Sequence, residues 1–262
     1  MVGPFSEIRV TRHNRVTLVV IPFYHMRISV ITPAHNEESH IRDCIVSVSQ
    51  AASEHGIETE HIIVLNRCTD RTEEIATSLG ARIVVEDARN LSRIRNAGAQ
   101  AATGEVLVTI DADSTMSPNM LSEVERLLAT GKYVGGGVRV FPERWSIGIV
   151  CSLLVVLPFI LWHRGVSAGM FWCYKRDFDA IDGFDETLAS IEDLDFGRRL
   201  KDHGRLDGRR YGTIRAAHIV TSCRKFDQFG DWHFVRNPKI VYDIFQRKRA
   251  AADEYYYDAR KG

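Results

Sequence analysis

A chain of 262 residues with 45% apolar and 26% charged side chains fits one large globular domain or two small ones, and it excludes a disordered chain, a collagen and a porin. Lys plus Arg and Asp plus Glu each number 34, so the formal net charge is +0 and no global field draws the chain to nucleic acid. The balance is uneven along the chain: from Arg198 to the end 16 basic residues stand against 8 acidic ones, which makes the C-terminal part a candidate for meeting anions.

Residues 1–26 read as a peripheral arm. The apolar stretch 16–23 is short, contains Pro22 and has no small-residue cleavage site behind it, so it does not read as an export signal, and Met1 and Met26 both stand as starts. One folded domain is expected over 27–225, and 226–262 reads as a basic helical extension. Between residues 28 and 110, β-branched runs at 28–32, 61–65, 82–85 and 106–110 alternate with helical patterns, which predicts βαβ units and a doubly wound, mostly parallel half. In the first crossover Ile41, Cys44, Ile45, Val48, Ala51 and Ala52 recur at helical steps, with Ser39 as the expected cap. The second spans 70–79 and stops at Gly80; the third spans 91–102 and stops before Thr103-Gly104.

In such a sheet, ligands sit beyond the carboxyl ends of the strands. The site is therefore expected from Pro33-Ala34-His35-Asn36-Glu37, Asn66-Arg67-Cys68-Thr69-Asp70, Glu86-Asp87-Ala88-Arg89 and Asp111-Ala112-Asp113, all of which suit a polar ligand. Beyond them, 132–140 and 169–174 read as strands and 193–203 as a helix. Segment 147–162 has no charge; as a helix it would be ~24 Å long, short of a ~30 Å hydrocarbon core, and Pro158 is expected to break it. Two readings stand side by side for it: a buried core helix, or a flap in the membrane interface bounded by Arg144, His163 and Arg164. The five cysteines are odd in number and form no CxxC pair, which fits a reducing cytosol better than a disulfide framework or a zinc site.

Asp111 and Asp113 emerge at the tip of an apolar strand, and alternate residues of an extended segment point the same way. Both can thus approach one hard cation and leave coordination positions for phosphate oxygens. Glu192-Asp193-Leu194-Asp195 opens a helix; capping and the helix dipole account for one or two of these acids, and a carboxylate facing a cleft there can act as a general base. His218 is open to a structural role or to one as a third metal ligand or diphosphate contact. Arg224 and Lys225 are open to a solvated surface or to a diphosphate clamp that uses Arg's planar fork.

The order Ile31-Thr32-Pro33-Ala34-His35-Asn36-Glu37-Glu38, Asn66-Arg67-Cys68-Thr69-Asp70-Arg71-Thr72, Arg95-Asn96-Ala97-Gly98, Asp111-Ala112-Asp113, Gly183-Phe184-Asp185-Glu186 and Glu192-Asp193-Leu194-Asp195 resembles the family 2 glycosyltransferases of GT-A fold, over roughly 27–224. The resemblance implies an α/β chain with a nucleotide-binding half and a mixed-sheet acceptor half. It also implies an inverting transferase that uses a nucleotide-diphosphate sugar and Mg²⁺ or Mn²⁺. Carried over, Pro33, Ala34, Asn36, Glu37 and Asp70 would line the nucleotide pocket, Asp113 would hold the metal, and Asp111 would lie nearer the ribose or the metal. Asp193 matches the family's base, Glu192 its neighbour at the acceptor, and Arg95 a residue near the base or the diphosphate. Leu65-Asn66 departs from the pattern: the two acids common at this point are missing, so the resemblance does not fix UDP as the nucleotide.

On this reading a bound cation would stabilise the charge gathering on the diphosphate leaving group, and Asp193 would take the acceptor's proton on the opposite face, help worth ~10²- to 10⁴-fold. Two alternatives stand beside it. Asp111-Ala112-Asp113-Ser114-Thr115 also resembles the nucleophile motif of haloacid dehalogenase-type phosphohydrolases, though on the fourth strand instead of the first. A non-catalytic nucleotide-sugar binder is the other, and Asp193 argues against it. The acceptor is unidentified; if 147–162 lies in a membrane interface it is lipid-linked, and the protein sits peripherally on the inner face of the membrane.

Overall fold

The computed structural model describes residues 6–12, 15–21, 26–162, 169–188 and 191–245. β1 (Ser6–Arg12) and β2 (Arg15–Ile21) pair antiparallel in a two-stranded ribbon of their own. The main sheet begins with β3 (Ile28–Ala34), α1 (Ile41–Glu54), β4 (Thr59–Leu65), α2 (Thr72–Ser78), β5 (Arg82–Val85), α3 (Leu91–Ala101) and β6 (Val106–Ile110). These four strands are parallel and stand in the order β5-β4-β3-β6, the doubly wound half that the alternating pattern predicts.

The second half follows as β7 (Ser114–Met116), α4 (Met120–Ala129), β8 (Tyr133–Pro142), α5 (Ile147–Trp162), β9 (Met170–Tyr174), α6 (Lys175–Ala180), α7 (Glu192–Leu206) and β10 (Arg210–Thr221). β9 lies antiparallel between β6 and β8, β10 is parallel to β8, and β7 closes the far edge, giving eight strands in one mixed sheet. Three short helices end the described chain: α8 (Arg224–Phe229), α9 (His233–Arg236) and α10 (Pro238–Phe245).

Side-chain alternation splits the core between the two faces of the sheet. Ile28 and Val30 of β3 join Cys44 and Val48 of α1 and Met120, Val124 and Leu128 of α4 on one face. Ile31 turns to the other, where Ile94 of α3, Phe196 and Leu200 of α7, and Phe171, Phe178 and Phe184 gather. Phe184 and Phe196 stack with ring centroids 4.2 Å apart. Each of these buried rings contributes roughly 1.5–3 kcal/mol through area removed from water. Gly98 is what lets α3 sit this close: a Cβ there would run into the Ile31 side chain and lie 2.8 Å from Val64.

Two local expectations are corrected. Ser39 does not cap α1; the N-cap is His40, without a side-chain bond, because the Glu37 carbonyl already accepts the His40 and Ile41 N–H groups (2.9 and 2.8 Å) and Ser39 lies inside that turn. Pro158 does not break 147–162, since α5 continues through it to Trp162. A proline removes the hydrogen bond to the carbonyl four residues earlier, here that of Leu154, and both residues are exposed, so the orphaned carbonyl is not trapped in the core. No described helix is long and apolar enough to cross a membrane.

α5 is also neither wholly core nor wholly surface. Gly148, Ile149 and Ser152 are buried, and the Ser152 hydroxyl donates to the Asp231 carbonyl at 2.7 Å. Ile147 and Leu154, 76% and 59% exposed, turn away with Val150, Leu153 and Leu157.

Candidate functional site

The loops that follow β3 and β4 are stitched to each other at the carboxyl end of the sheet. Asn36 and Arg67 both take left-handed backbone (φ +52°), which folds each loop back on itself. The Asn36 Oδ1 accepts the Thr69 N–H at 2.8 Å. Asp70 accepts the Thr72 hydroxyl and N–H on Oδ1 (2.6 and 3.0 Å) and the Glu38 N–H on Oδ2 (3.0 Å). Partial burial raises the Asp70 pKa, but these hydrogen bonds outweigh it and hold the group below its ordinary range. Ala34 is buried and its carbonyl accepts the Asn66 N–H at 2.8 Å; Pro33 sits one residue earlier, paired with Val64.

Asn66 stands where the family resemblance leads one to look for an acid, and its role is internal. Almost fully buried, it donates through Nδ2 to the Glu86 carbonyl (2.5 Å) and the Ala88 carbonyl (2.9 Å), so it braces the tip of β4 against the loop after β5.

Arg95, on α3, is the centre of the second cluster. Its side chain is 2% exposed and reaches Asp193 (2.5 Å) and Glu192 (3.3 Å) through one nitrogen and Asp111 (3.1 Å) through the other. The guanidinium lies 5.1 Å above the centroid of Phe184. Burial disfavours its charge, but the three carboxylates outweigh that and keep it ionised. The acids respond in the opposite sense. Partial burial and the negative charges of Asp193 and Asp113 push Asp111 up to about 6 against the pull of Arg95. Burial and Asp193 likewise raise Glu192. One cation thus faces three carboxylates, and the cluster keeps an excess of negative charge.

The start of α7 sets the two acids of its first turn by way of Ile191, a β-branched residue in left-handed backbone (φ +57°), a conformation that costs roughly 1–2 kcal/mol. Asp193 also accepts the Gly169 N–H on Oδ2 at 3.3 Å. Asp195, third of the acidic run, turns away to pair with Arg198 (3.0 Å) and Arg199 (2.6 Å).

A third cluster comes from the end of β10. Ser222 donates its N–H to the Asp113 carbonyl (3.0 Å) and its hydroxyl to Asp113 Oδ2 (3.3 Å). Arg224 grips the buried Glu37 carboxylate with two bonds (2.8 and 2.9 Å) and reaches Asp113 Oδ2 at 3.4 Å. The structure therefore brings Asp111, Glu192 and Asp193 together on Arg95, and Glu37 and Asp113 together on Arg224. His218 stands apart in its contacts: its ring packs on Phe141 at 5.3 Å and its N–H meets the Ser117 hydroxyl at 3.1 Å. Among the described residues no three His, Cys, Asp or Glu side chains gather as a metal cage.

A divalent cation nevertheless fits the residues present. Asp111 Oδ2 and Asp113 Oδ1 have no protein donor among the described residues, and both side chains keep an open edge (37% and 22% exposed). Two hard oxygens in a pocket of excess negative charge suit Mg²⁺ or Mn²⁺ and leave positions for further oxygen ligands. The roles of Ser222 and Phe184 had no signal in the sequence beyond their nearness to Arg224 and to the Gly183-Phe184-Asp185-Glu186 motif.

Comparison with known proteins places the chain in a family. The family model of glycosyl transferase family 2 matches residues 29–177. Dolichol-phosphate mannosyltransferase of Pyrococcus furiosus is 28% identical over 176 residues, covering 60% of this chain and 49% of that protein. Glycosyltransferase AglE of Haloferax volcanii is 30% identical over 220 residues, 78% of this chain and 68% of that protein. The chain thus spans about half the length of the first of these relatives. Among solved structures, the mannosyltransferase PcManGT from Pyrobaculum calidifontis in complex with GDP-Man and Mn²⁺ superposes with a TM-score of 0.59 over 91% of this chain and 75% of that one, at 15% identity, a likeness of fold. These matches do not favour the phosphohydrolase reading of Asp111 to Thr115.

Proposed function

This chain belongs to glycosyl transferase family 2, with a GT-A type fold, and from that premise we propose that it transfers a sugar, with inversion, from a nucleotide-diphosphate sugar to an acceptor hydroxyl. The observation that carries the reading is the single guanidinium of Arg95 held between Asp111 at the tip of β6 and Asp193 at the start of α7. It ties a cation-binding strand end to a candidate base within one side chain's reach.

In this reading Pro33, Ala34, Asn36, Glu37 and Asp70 border the nucleotide, largely through backbone, since Asn36 and Asp70 use their side-chain oxygens to hold the loops. Asp111 and Asp113 would hold Mg²⁺ or Mn²⁺, which when bound would supply Lewis-acid stabilisation of the departing diphosphate. Asp193 takes the proton of the acceptor hydroxyl as its oxygen bonds to the anomeric carbon, and the bond from that carbon to the diphosphate breaks on the opposite face. Arg95 orients Asp193, and Glu192 borders the acceptor. Arg224 exchanges Glu37 for diphosphate oxygens, for which its planar fork is suited.

The acceptor is lipid-linked in this proposal. The exposed apolar face of α5, with the neighbouring Trp145 also exposed, would lie in a membrane interface on the inner face of the bilayer, and the name of the Pyrococcus relative points to a lipid phosphate acceptor for that protein. The test of transfer is a thermal-shift screen of UDP-, GDP- and dTDP-sugars with and without Mn²⁺, followed by NMR of the anomeric proton in the product. A nucleotide sugar that raises the melting temperature only with Mn²⁺ and yields an inverted product is expected. No shift with any donor, or retention of configuration, overturns the reading.

A further inference from the structure

Among the described residues, the first half of β10 is an uncovered sheet edge. β8 pairs with it on one side through Tyr211, Gly212, Thr213 and Ile214, whereas β7 on the other side reaches only Ile219, Val220 and Thr221. A strand inside a parallel ladder turns the backbone groups of alternate residues to alternate sides. The Arg210 N–H goes to the Lys132 carbonyl at 2.9 Å, on the β8 side, so Tyr211 and Thr213 turn theirs outward.

α4 stands beside this edge, and between them runs a groove of about 550 Å³ lined by Glu123, Arg126 and Leu127 of α4, by Tyr133, and by residues 210–216 of the strand. Its surplus charge is positive. Arg126 is paired with Glu123 at 2.6 Å, while Arg210 and Arg215 have no carboxylate partner among the described residues, Arg210 lying 5.8 Å from the centroid of the Tyr133 ring. The register of β10 on β8 jumps from Ile214 to His218, and in the intervening bulge Arg215 is exposed at the end of the open edge.

We propose that this groove binds an extended acidic peptide segment of a partner protein, added to β10 as a further strand. Seven consecutive residues of one strand line the groove, and the outward groups of Tyr211 and Thr213 supply the main-chain hydrogen bonds of strand addition. Every second side chain of an added strand faces the same way, which lets alternate acids meet Arg210 and Arg215. A small polyanion would satisfy the arginines and leave the strand edge open. The same edge of a second copy would set Arg210 and Arg215 against themselves, the like-charge arrangement that discourages edge pairing. Ser222 and Arg224 follow the other end of β10, so occupation of the groove leaves the carboxylate clusters clear.

The experiment is fluorescence anisotropy of a labelled, alternating glutamate–valine octapeptide titrated with the whole chain. Saturable binding is expected, with none for the lysine–valine counterpart, and Arg210→Glu and Arg215→Glu should each weaken it by about tenfold, the scale of one charge-assisted hydrogen bond. Two further peptides, N-methylated on every valine or on every glutamate nitrogen, test the strand itself: one series should lose binding and the other keep it. The proposal is overturned if the parent peptide does not bind, if both N-methylated series bind as the parent does, or if the arginine variants bind it unchanged. Full displacement by sodium tripolyphosphate together with binding of both N-methylated series would mark a general anion site and overturn it as well.

Discussion

Glu37 and Arg224, 187 positions apart, meet through two parallel hydrogen bonds of 2.8 and 2.9 Å. The pair straps the loop after β10 across the tip of β3, and Arg224 also lies 3.4 Å from Asp113. On the proposed reading, the guanidinium occupied here by the Glu37 carboxylate is the one that would turn to the diphosphate beside Asp113.

Arg224→Ala leaves Glu37, 3% exposed, without its bidentate partner, and a loss of about 1–3 kcal/mol in urea unfolding is expected. The same variant should bind nucleotide sugar more weakly. A wild-type unfolding midpoint would mean that the pair does nothing to hold the loop.

Asp193→Asn should bind donor as the wild type does and transfer sugar ~10²- to 10⁴-fold more slowly, because a base acts in the transition state and not in the donor complex. Calorimetry for affinity and a product assay for turnover separate the two. Near wild-type turnover would place the base on another residue.

Asp113→Asn and chelation should both weaken donor affinity by removing the cation between the diphosphate and the carboxylates. Calorimetric affinity unchanged in both cases would take the metal out of the reaction.

Glu60, at the opposite end of the sheet, gives a pH dependence of known sign. Burial raises its pKa, but the Ser29 hydroxyl, the Thr103 N–H and hydroxyl and the Gly104 N–H outweigh that and bring it from 4.5 to about 2. A depressed carboxylate stabilises the fold fully above its ordinary pKa, and the contribution drains away as pH falls towards about 2. Glu60→Gln should therefore flatten the acid limb of melting temperature against pH between about 5 and about 2. An acid limb identical to the wild type would show that these bonds do not favour the ionised form.

Leu154→Ser with Leu157→Ser should abolish sedimentation with lipid vesicles at nearly unchanged melting temperature, since both side chains are exposed (59% and 44%) and leave no cavity. A core role would show as a lowered melting temperature, and wild-type protein that stays in the supernatant would end the membrane reading.

The parallel half was legible because period and punctuation agree there: each β-branched run ends in polar residues, and Gly80 sits in left-handed backbone (φ +78°) after α2. α4 was equally periodic in Met120, Leu121, Val124 and Leu128 yet unread, because it follows a strand of three residues that carries no pattern of its own. β10 carries no regular strand pattern in the sequence, since the bulge after Ile214 interrupts its alternation. Asp111 and the Glu192-Asp193 pair stood out as acids at element ends, but a run of acids does not say which one turns inward, and Asp195 turns to Arg199. No spacing rule reaches from Glu37 to Arg224 or from Asn66 to the Glu86 carbonyl, because those partners are chosen by how the strand tips converge.

Gly98 gives this centre a mechanical dependence on a hydrogen atom. It lies one helical turn from Arg95, and its bare α-carbon lets α3 rest against Ile31 and Val64. A methyl group there would overlap the Ile31 side chain and lie 2.8 Å from Val64, so the turn would have to lift from the sheet and carry the guanidinium with it, lengthening its three ion contacts at once. The spacing of these charges is therefore set from beneath, by packing two strands deep, and a substitution that touches no acid can still detune them.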